Sequence, residues 1–134
     1  MIKAVIFDYG GVINRNLRKQ RDLIRFSREL RRTNIQTAVL SNMAQSIAWF
    51  ITLKGDFRGF KPVVISSRVG VAKPDPKIYK IILEKLSLEP TEVIFIDNRP
   101  GNLVPAKAMG MAVVHAENTQ QVIEDVKKII SAIN

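Results

Sequence analysis

The 134-residue chain has a net charge of +9, 46% hydrophobic residues and no cysteine. That length makes one domain with a sizeable core, the composition argues against disorder, and the missing cysteines exclude disulfides, a thiol nucleophile and a thiolate metal site. No apolar run reaches the roughly 18 residues that span a bilayer, and Met1-Ile2-Lys3 runs straight into a strand without the apolar region of a signal peptide. A soluble, cytoplasmic protein with no membrane partner is expected.

The first stretch, Ile2 to Val12, is an apolar strand that stops at Asp8 and turns at Gly10-Gly11. A buried parallel strand delivers a reactive side chain to the sheet edge in this way. Asp8 reads as a nucleophile, and equally as a helix cap or a turn residue before two glycines. Leu17 to Arg32 has helical periodicity through Leu23, Phe26, Ser27 and Leu30. The segment is strongly basic: Arg15, Arg18, Lys19, Arg21, Arg25, Arg28, Arg31 and Arg32 face only Asp22 and Glu29, leaving +6 of the net charge there. A solvated helix face explains this, as does attraction of an anionic substrate or partner.

Thr37 to Leu40 fits a second buried strand ending at Ser41-Asn42, and Ala44 to Leu53 a helix in which Trp49 is expected to pack. Val63 to Ser66 is the third strand, and Ser67 to Pro76 reads as a loop carrying Lys73. Asp75 suits an N-cap and Pro76 the first helical position of a helix through Leu86. Val93 to Ile96 runs into Asp97-Asn98. A helix from Leu103 to Met109 closes at Gly110, a fifth strand spans Met111 to His115, and a terminal helix spans Gln120 to Ile133. His115 reads as a strand-end residue away from the chemistry rather than a base. The alternation predicts an α/β fold: a Rossmann-like three-layer sandwich with a five-stranded parallel sheet and helices on both faces.

In such a sheet Asp8, Ser41 and Asp97 converge with Lys73 at the carboxyl edge. A carboxylate can attack phosphorus, two carboxylates can hold a hard cation, and a hydroxyl with an ammonium can bind phosphoryl oxygens. The ordered segments Phe7-Asp8-Tyr9-Gly10-Gly11-Val12, Leu40-Ser41-Asn42, Val69 to Pro76 with Ile78-Tyr79, and Ile94 to Asn98 with Asn102 and Pro105-Ala106 resemble the four motifs of the haloacid dehalogenase-like hydrolase superfamily. The last two are also similar to the N-terminal phosphatase domain of soluble epoxide hydrolases.

The resemblance implies a Mg²⁺-dependent phosphohydrolase working through an aspartyl-phosphate. Asp8 would be the nucleophile, Ser41 would hold the phosphoryl group and Lys73 would orient Asp8 and offset its charge. Asn42, Gly10 and Gly11 would line the substrate site. The metal ligands would be Asp8, the Gly10 carbonyl, Asp97 and Asn98, although Asn98 and Asn102 stand where acids often occur. Two departures qualify this. Gly10 replaces the aspartate that serves as general acid in phosphatases of the family, a function commonly worth about 10²–10⁴-fold. No room exists for a cap domain, so residues 1–134 form a single core with an open site.

An open site admits a phosphorylated small molecule or an anionic macromolecule, with Arg15, Arg18 and Lys19 expected near its rim, or assembly into a homo-oligomer that covers it. Nucleic acid is the less favoured partner, since no binding motif is recognisable. The alternatives are a binding or scaffold domain that has lost turnover, and a metal-independent dehalogenase using the same aspartate. A further reading takes the chain as a cap-deleted form of a longer protein.

Overall fold

The computed structural model describes residues 1–14 and 16–134; Arg15 lies outside the described residues. Five strands, β1 (Ala4–Phe7), β2 (Gln36–Ser41), β3 (Val63–Ile65), β4 (Val93–Asp97) and β5 (Ala112–His115), form one sheet in the order β3-β2-β1-β4-β5. Every pairing is parallel, with Phe7 opposite Val39 on one side and Ile96 on the other. The chain winds outward from β1 through β2 to β3, then crosses back to β4 and β5. The reversal falls beside β1, the place where open α/β sheets leave a crevice at their carboxyl ends.

The sheet separates two apolar layers because successive strand residues point to opposite faces. Val5 and Phe7 pack with α1 (Leu17–Arg32), α2 (Gln45–Lys54) and α6 (Thr119–Ile133), while Ala4 and Ile6 pack with α4 (Pro76–Leu86) and α5 (Pro100–Met109). In α1 the buried residues are Leu23, Phe26, Ser27 and Leu30, the stripe that its periodicity marks. Asp75 caps α4 by accepting from the Lys77 N–H at 3.0 Å, and Pro76 opens the helix where its missing N–H costs nothing.

Three elements differ from their sequence reading. The paired part of β1 is only Ala4–Phe7, because Asp8 and Tyr9 already bend into the turn. The stretch read as a loop after β3 begins with a short helix, α3 (Ser66–Val69), closed by Gly70 in the left-handed conformation. Helix α5 starts at Pro100 rather than Leu103, with Pro105 inside it; prolines at both places obscure the boundary. Between β1 and β2 the described residues contain one helix, α1.

Candidate active site

Four side chains meet at the carboxyl edge. Asp8 follows the last paired residue of β1, Ser41 ends β2, Asp97 ends β4, and Lys73 reaches in from the loop between α3 and α4. All four are buried. The Lys73 side chain is only 1% exposed, and its Nζ donates to Asp8 Oδ1 at 3.0 Å, Asp97 Oδ2 at 2.7 Å and the Leu40 carbonyl at 3.0 Å. Three acceptors for three N–H bonds fix the ammonium completely.

The loop that carries Lys73 is itself pinned. The Asn42 amide accepts from the Lys73 N–H at 2.9 Å and donates to the Lys73 carbonyl at 2.9 Å. Asp97 is held on both oxygens: Oδ1 accepts from the Arg99 N–H at 2.9 Å, and Oδ2 accepts from Asn102 at 3.2 Å as well as from Lys73. Behind this lies a support that sequence reasoning missed, since Tyr79 on α4 donates its hydroxyl to the Asn102 carbonyl. Tyr79 is fully buried and stands edge-on to Phe95. Tyr79 stands in the third of the motif segments, but which carbonyl its hydroxyl would meet depends on how α4 and α5 pack.

Asp8 Oδ1 accepts from Lys73 and from the Tyr9 N–H at 2.9 Å. Among the described residues the hydrogen bonds go to Oδ1, which leaves Oδ2 to meet an incoming group. Burial, together with the Asp97 carboxylate, raises Asp8 to about 6 despite the pull of Lys73. Two carboxylates against one ammonium leave a charge of −1 in a desolvated place, which calls for another cation.

A cavity of about 200 Å³ opens onto this cluster, lined by Asp8, Gly10, Ser41, Asn42, Lys73, Asn98, Arg99 and Asn102. Arg99 was not anticipated from the sequence. Gly11 was expected to line the substrate site, but it lies outside this lining and backs Asn98 instead. Its φ is +76°, and a Cβ there would stand 2.3 Å from the Asn98 amide. Gly11→Ala should therefore cost about 1–2 kcal/mol and push Asn98 out of place. A thermal melt showing wild-type stability would contradict this.

The Asn98 side-chain oxygen lies 3.3 Å from both Asp97 Oδ1 and the Gly10 carbonyl, and turning the amide over would hydrogen-bond its nitrogen to both. In either orientation the Gly10 carbonyl and the Asp8 and Asp97 carboxylates remain oxygen donors beside the negatively charged pair, of the kind a hard cation such as Mg²⁺ takes. The residues thus fit that ion.

The structure separates other expected groups. Arg18 and Lys19 line a different cavity with Asn118, Thr119 and Gln120, so they do not rim the one over Asp8. His115 comes closer than expected, because β5 pairs it with Asp97; one ring nitrogen is 3.1 Å from the Asn98 carbonyl. It does not line the cavity. A larger cavity of about 750 Å³ at the opposite end of the strands, around Arg31, Lys61 and Lys85, holds none of the motif residues.

The family model for haloacid dehalogenase-like hydrolases matches residues 16–110. This chain belongs to that family. It is 40% identical over 70 residues to bifunctional epoxide hydrolase 2 of Sus scrofa, covering 52% of this chain and 13% of that protein. It is 31% identical over 102 residues to acyl-CoA dehydrogenase family member 10 of Mus musculus, covering 76% and 10%. The matched segment is thus a small fraction of both relatives.

Among solved structures, an uncharacterized protein from Corynebacterium glutamicum superposes with a TM-score of 0.86 at 18% identity, over 98% of this chain and 96% of that one. A HAD family enzyme from Bacteroides thetaiotaomicron, in complex with magnesium and inorganic phosphate, superposes with a TM-score of 0.70 at 17% identity, over 88% and 96%. At those identities the likeness concerns the fold.

Proposed function

We propose that this chain is a Mg²⁺-dependent phosphomonoester hydrolase in which Asp8 is the nucleophile. The observation that carries the reading is the buried Lys73 ammonium bridging Asp8 and Asp97 beneath a small polar cavity. Phosphatase-named relatives support the same chemistry, including a Mycobacterium tuberculosis phosphatase 28% identical over 107 residues.

Asp8 Oδ2 attacks phosphorus and the bond from phosphorus to the ester oxygen breaks, giving an aspartyl-phosphate and the alcohol. Lys73 holds Oδ1 and keeps the attacking carboxylate oriented. Ser41, at the cavity wall, supplies a hydroxyl to the transferred phosphoryl oxygens. Asp8, Asp97, the Gly10 carbonyl and Asn98 would hold Mg²⁺, which would supply neutralisation of the phosphoryl charge. Gly10 offers no proton, so the leaving oxygen takes one from water. Water then attacks phosphorus, frees phosphate and restores Asp8. Good leaving groups, such as aryl and acyl phosphates, are the substrates this arrangement suits.

With one helix, α1, described between β1 and β2, the site is read as open, accepting a phosphorylated small molecule. No helix among the described residues is long and apolar enough to cross a membrane.

A panel of aryl, acyl and alkyl phosphates assayed with Mg²⁺ and with chelator tests the reading. Chelator-sensitive phosphate release is expected. Chelator-insensitive chloride release from a 2-haloacid would make the protein a dehalogenase instead, and no turnover of any ester would leave a binding domain. With Asp8 at about 6, activity at limiting Mg²⁺ should fall about tenfold per pH unit on the acid side of that value. Added Mg²⁺ should move this limb to lower pH, because cation and proton compete for the same carboxylate.

A further inference from the structure

Helix α2 buries Ala48 and Ile51 against the sheet. Its other face is apolar too. Ile47, Trp49, Phe50 and Leu53 are 53%, 63%, 61% and 67% exposed. At about 100° per residue, Trp49, Phe50 and Leu53 lie side by side opposite the buried pair, with Ser46 between them. A helix that is apolar all round is ordinarily enclosed on all sides. No charged residue occurs from Met43 to Leu53, in a chain where 25% of residues are charged. Large exposed patches of this kind mark contact surfaces.

We propose that the outer face of α2 joins two copies of this chain across a two-fold axis. Charge selects the occupant. Nucleic acid, an acidic protein or an anionic bilayer would be met by unpaired cations interleaved with the aromatics, whereas the cation beside them here, Lys54, whose Nζ lies 5.6 Å from the Phe50 ring centroid, is already paired with Asp56 at 3.5 Å. Two copies each carrying +9 repel one another except where they meet without net charge, and this helix face provides such a place. Area agrees. The four apolar side chains expose roughly 500 Å² per copy, and Gln45, Ser46 and Thr52 around them bring the contact toward the roughly 800 Å² per partner of a specific interface. Trp49 is central, with Phe50 and Leu53 as its neighbours and the small Ser46 allowing close approach. The sequence-based expectation that Trp49 packs is not met within the chain, where Trp49 is 63% exposed.

Trp49 is the only tryptophan, so its emission reports the contact directly. Sedimentation equilibrium and tryptophan emission are to be followed from about 1 to 200 µM protein, at about 0.1 M and 1 M NaCl. A monomer–dimer equilibrium is expected, with a blue shift of emission on the same concentration scale and several-fold tighter association in high salt, where repulsion is screened. Phe50→Lys and Leu53→Lys should keep the circular dichroism of the monomer and abolish the dimer. A chain that stays monomeric throughout at both salts overturns the proposal, as does a dimer indifferent to both variants. A blue shift seen only with anionic phosphatidylglycerol vesicles and reversed by salt also overturns it, and gives the surface to a bilayer.

Discussion

Asp8→Asn is expected to abolish Mg²⁺-dependent phosphate release from an aryl phosphate, by at least about 10⁴-fold, while making the metal-free protein more stable at neutral pH. The asparagine oxygen can still accept from the Tyr9 N–H and from Lys73, so the local geometry survives. What disappears is a carboxylate that burial and Asp97 disfavour.

The sign follows from the direction of the shift. Asp8 titrates near 6 in the fold, against 3.8 for an ordinary aspartate. Its contribution to stability is fully present below about pH 3.8 and is lost as the pH rises through about 6. At pH 8 the ionised wild type therefore bears a penalty of about 1–3 kcal/mol that the amide lacks. Metal-free Asp8→Asn should melt several degrees higher than wild type at pH 8, with the difference shrinking toward pH 4. Saturating Mg²⁺ should reverse the order, since only the wild type keeps the carboxylate ligand. Equal melting temperatures at pH 8 and undiminished hydrolysis would remove Asp8 from the centre of the chemistry.

Gly10→Asp is expected to accelerate hydrolysis of an alkyl phosphate by about 10²-fold or more, and of an aryl phosphate far less. Gly10 lines the cavity, and a Cβ built on it meets nothing within 4 Å. Its backbone is not in the left-handed region, unlike that of Gly11, so the substitution introduces no strain. A carboxyl group there can protonate the departing oxygen, which matters for a poor leaving group and little for a phenolate. The ratio of kcat/KM for alkyl over aryl substrates measures the effect free of changes in expression or folding. An unchanged ratio would show that another group already donates the proton.

Much of the fold was legible because parallel strands and amphipathic helices write their own periods. Ala4 to Phe7 and Val93 to Ile96 are continuous apolar runs, as strands covered on both faces must be. Leu23, Phe26, Ser27 and Leu30 fall on one helical stripe. Asp8, Ser41 and Asp97 were found for the same reason: each stands where an apolar run ends. Arg99 was missed because a cation in a polar turn carries no such mark. Gly11 was assigned to the substrate, but its positive φ and its contact with Asn98 give it a different task. The pattern could not separate these.

The basic segment and α2 mark the limit. Periodicity places Arg18 and Lys19 on the first turn of α1 without saying which cavity that turn borders, and they border one apart from Asp8. In α2 apolar residues on every side gave no face at all, so packing was the natural expectation for Trp49. Only the seating of Ala48 and Ile51 on the sheet decided that Trp49, Phe50 and Leu53 face outward.

The sequence by itself determined the order of the elements, the sheet they form and the four chemical groups at its carboxyl edge. Local pattern is enough for these, since each depends on residues adjacent along the chain. Tertiary structure decided that Lys73 satisfies all three of its N–H bonds between two carboxylates and a carbonyl, that Asn42 and Tyr79 brace the groups around it, and that Asp8 is held near 6. Those are properties of contacts between residues 23 to 65 positions apart, where the fold sets distance, and distance sets the charge.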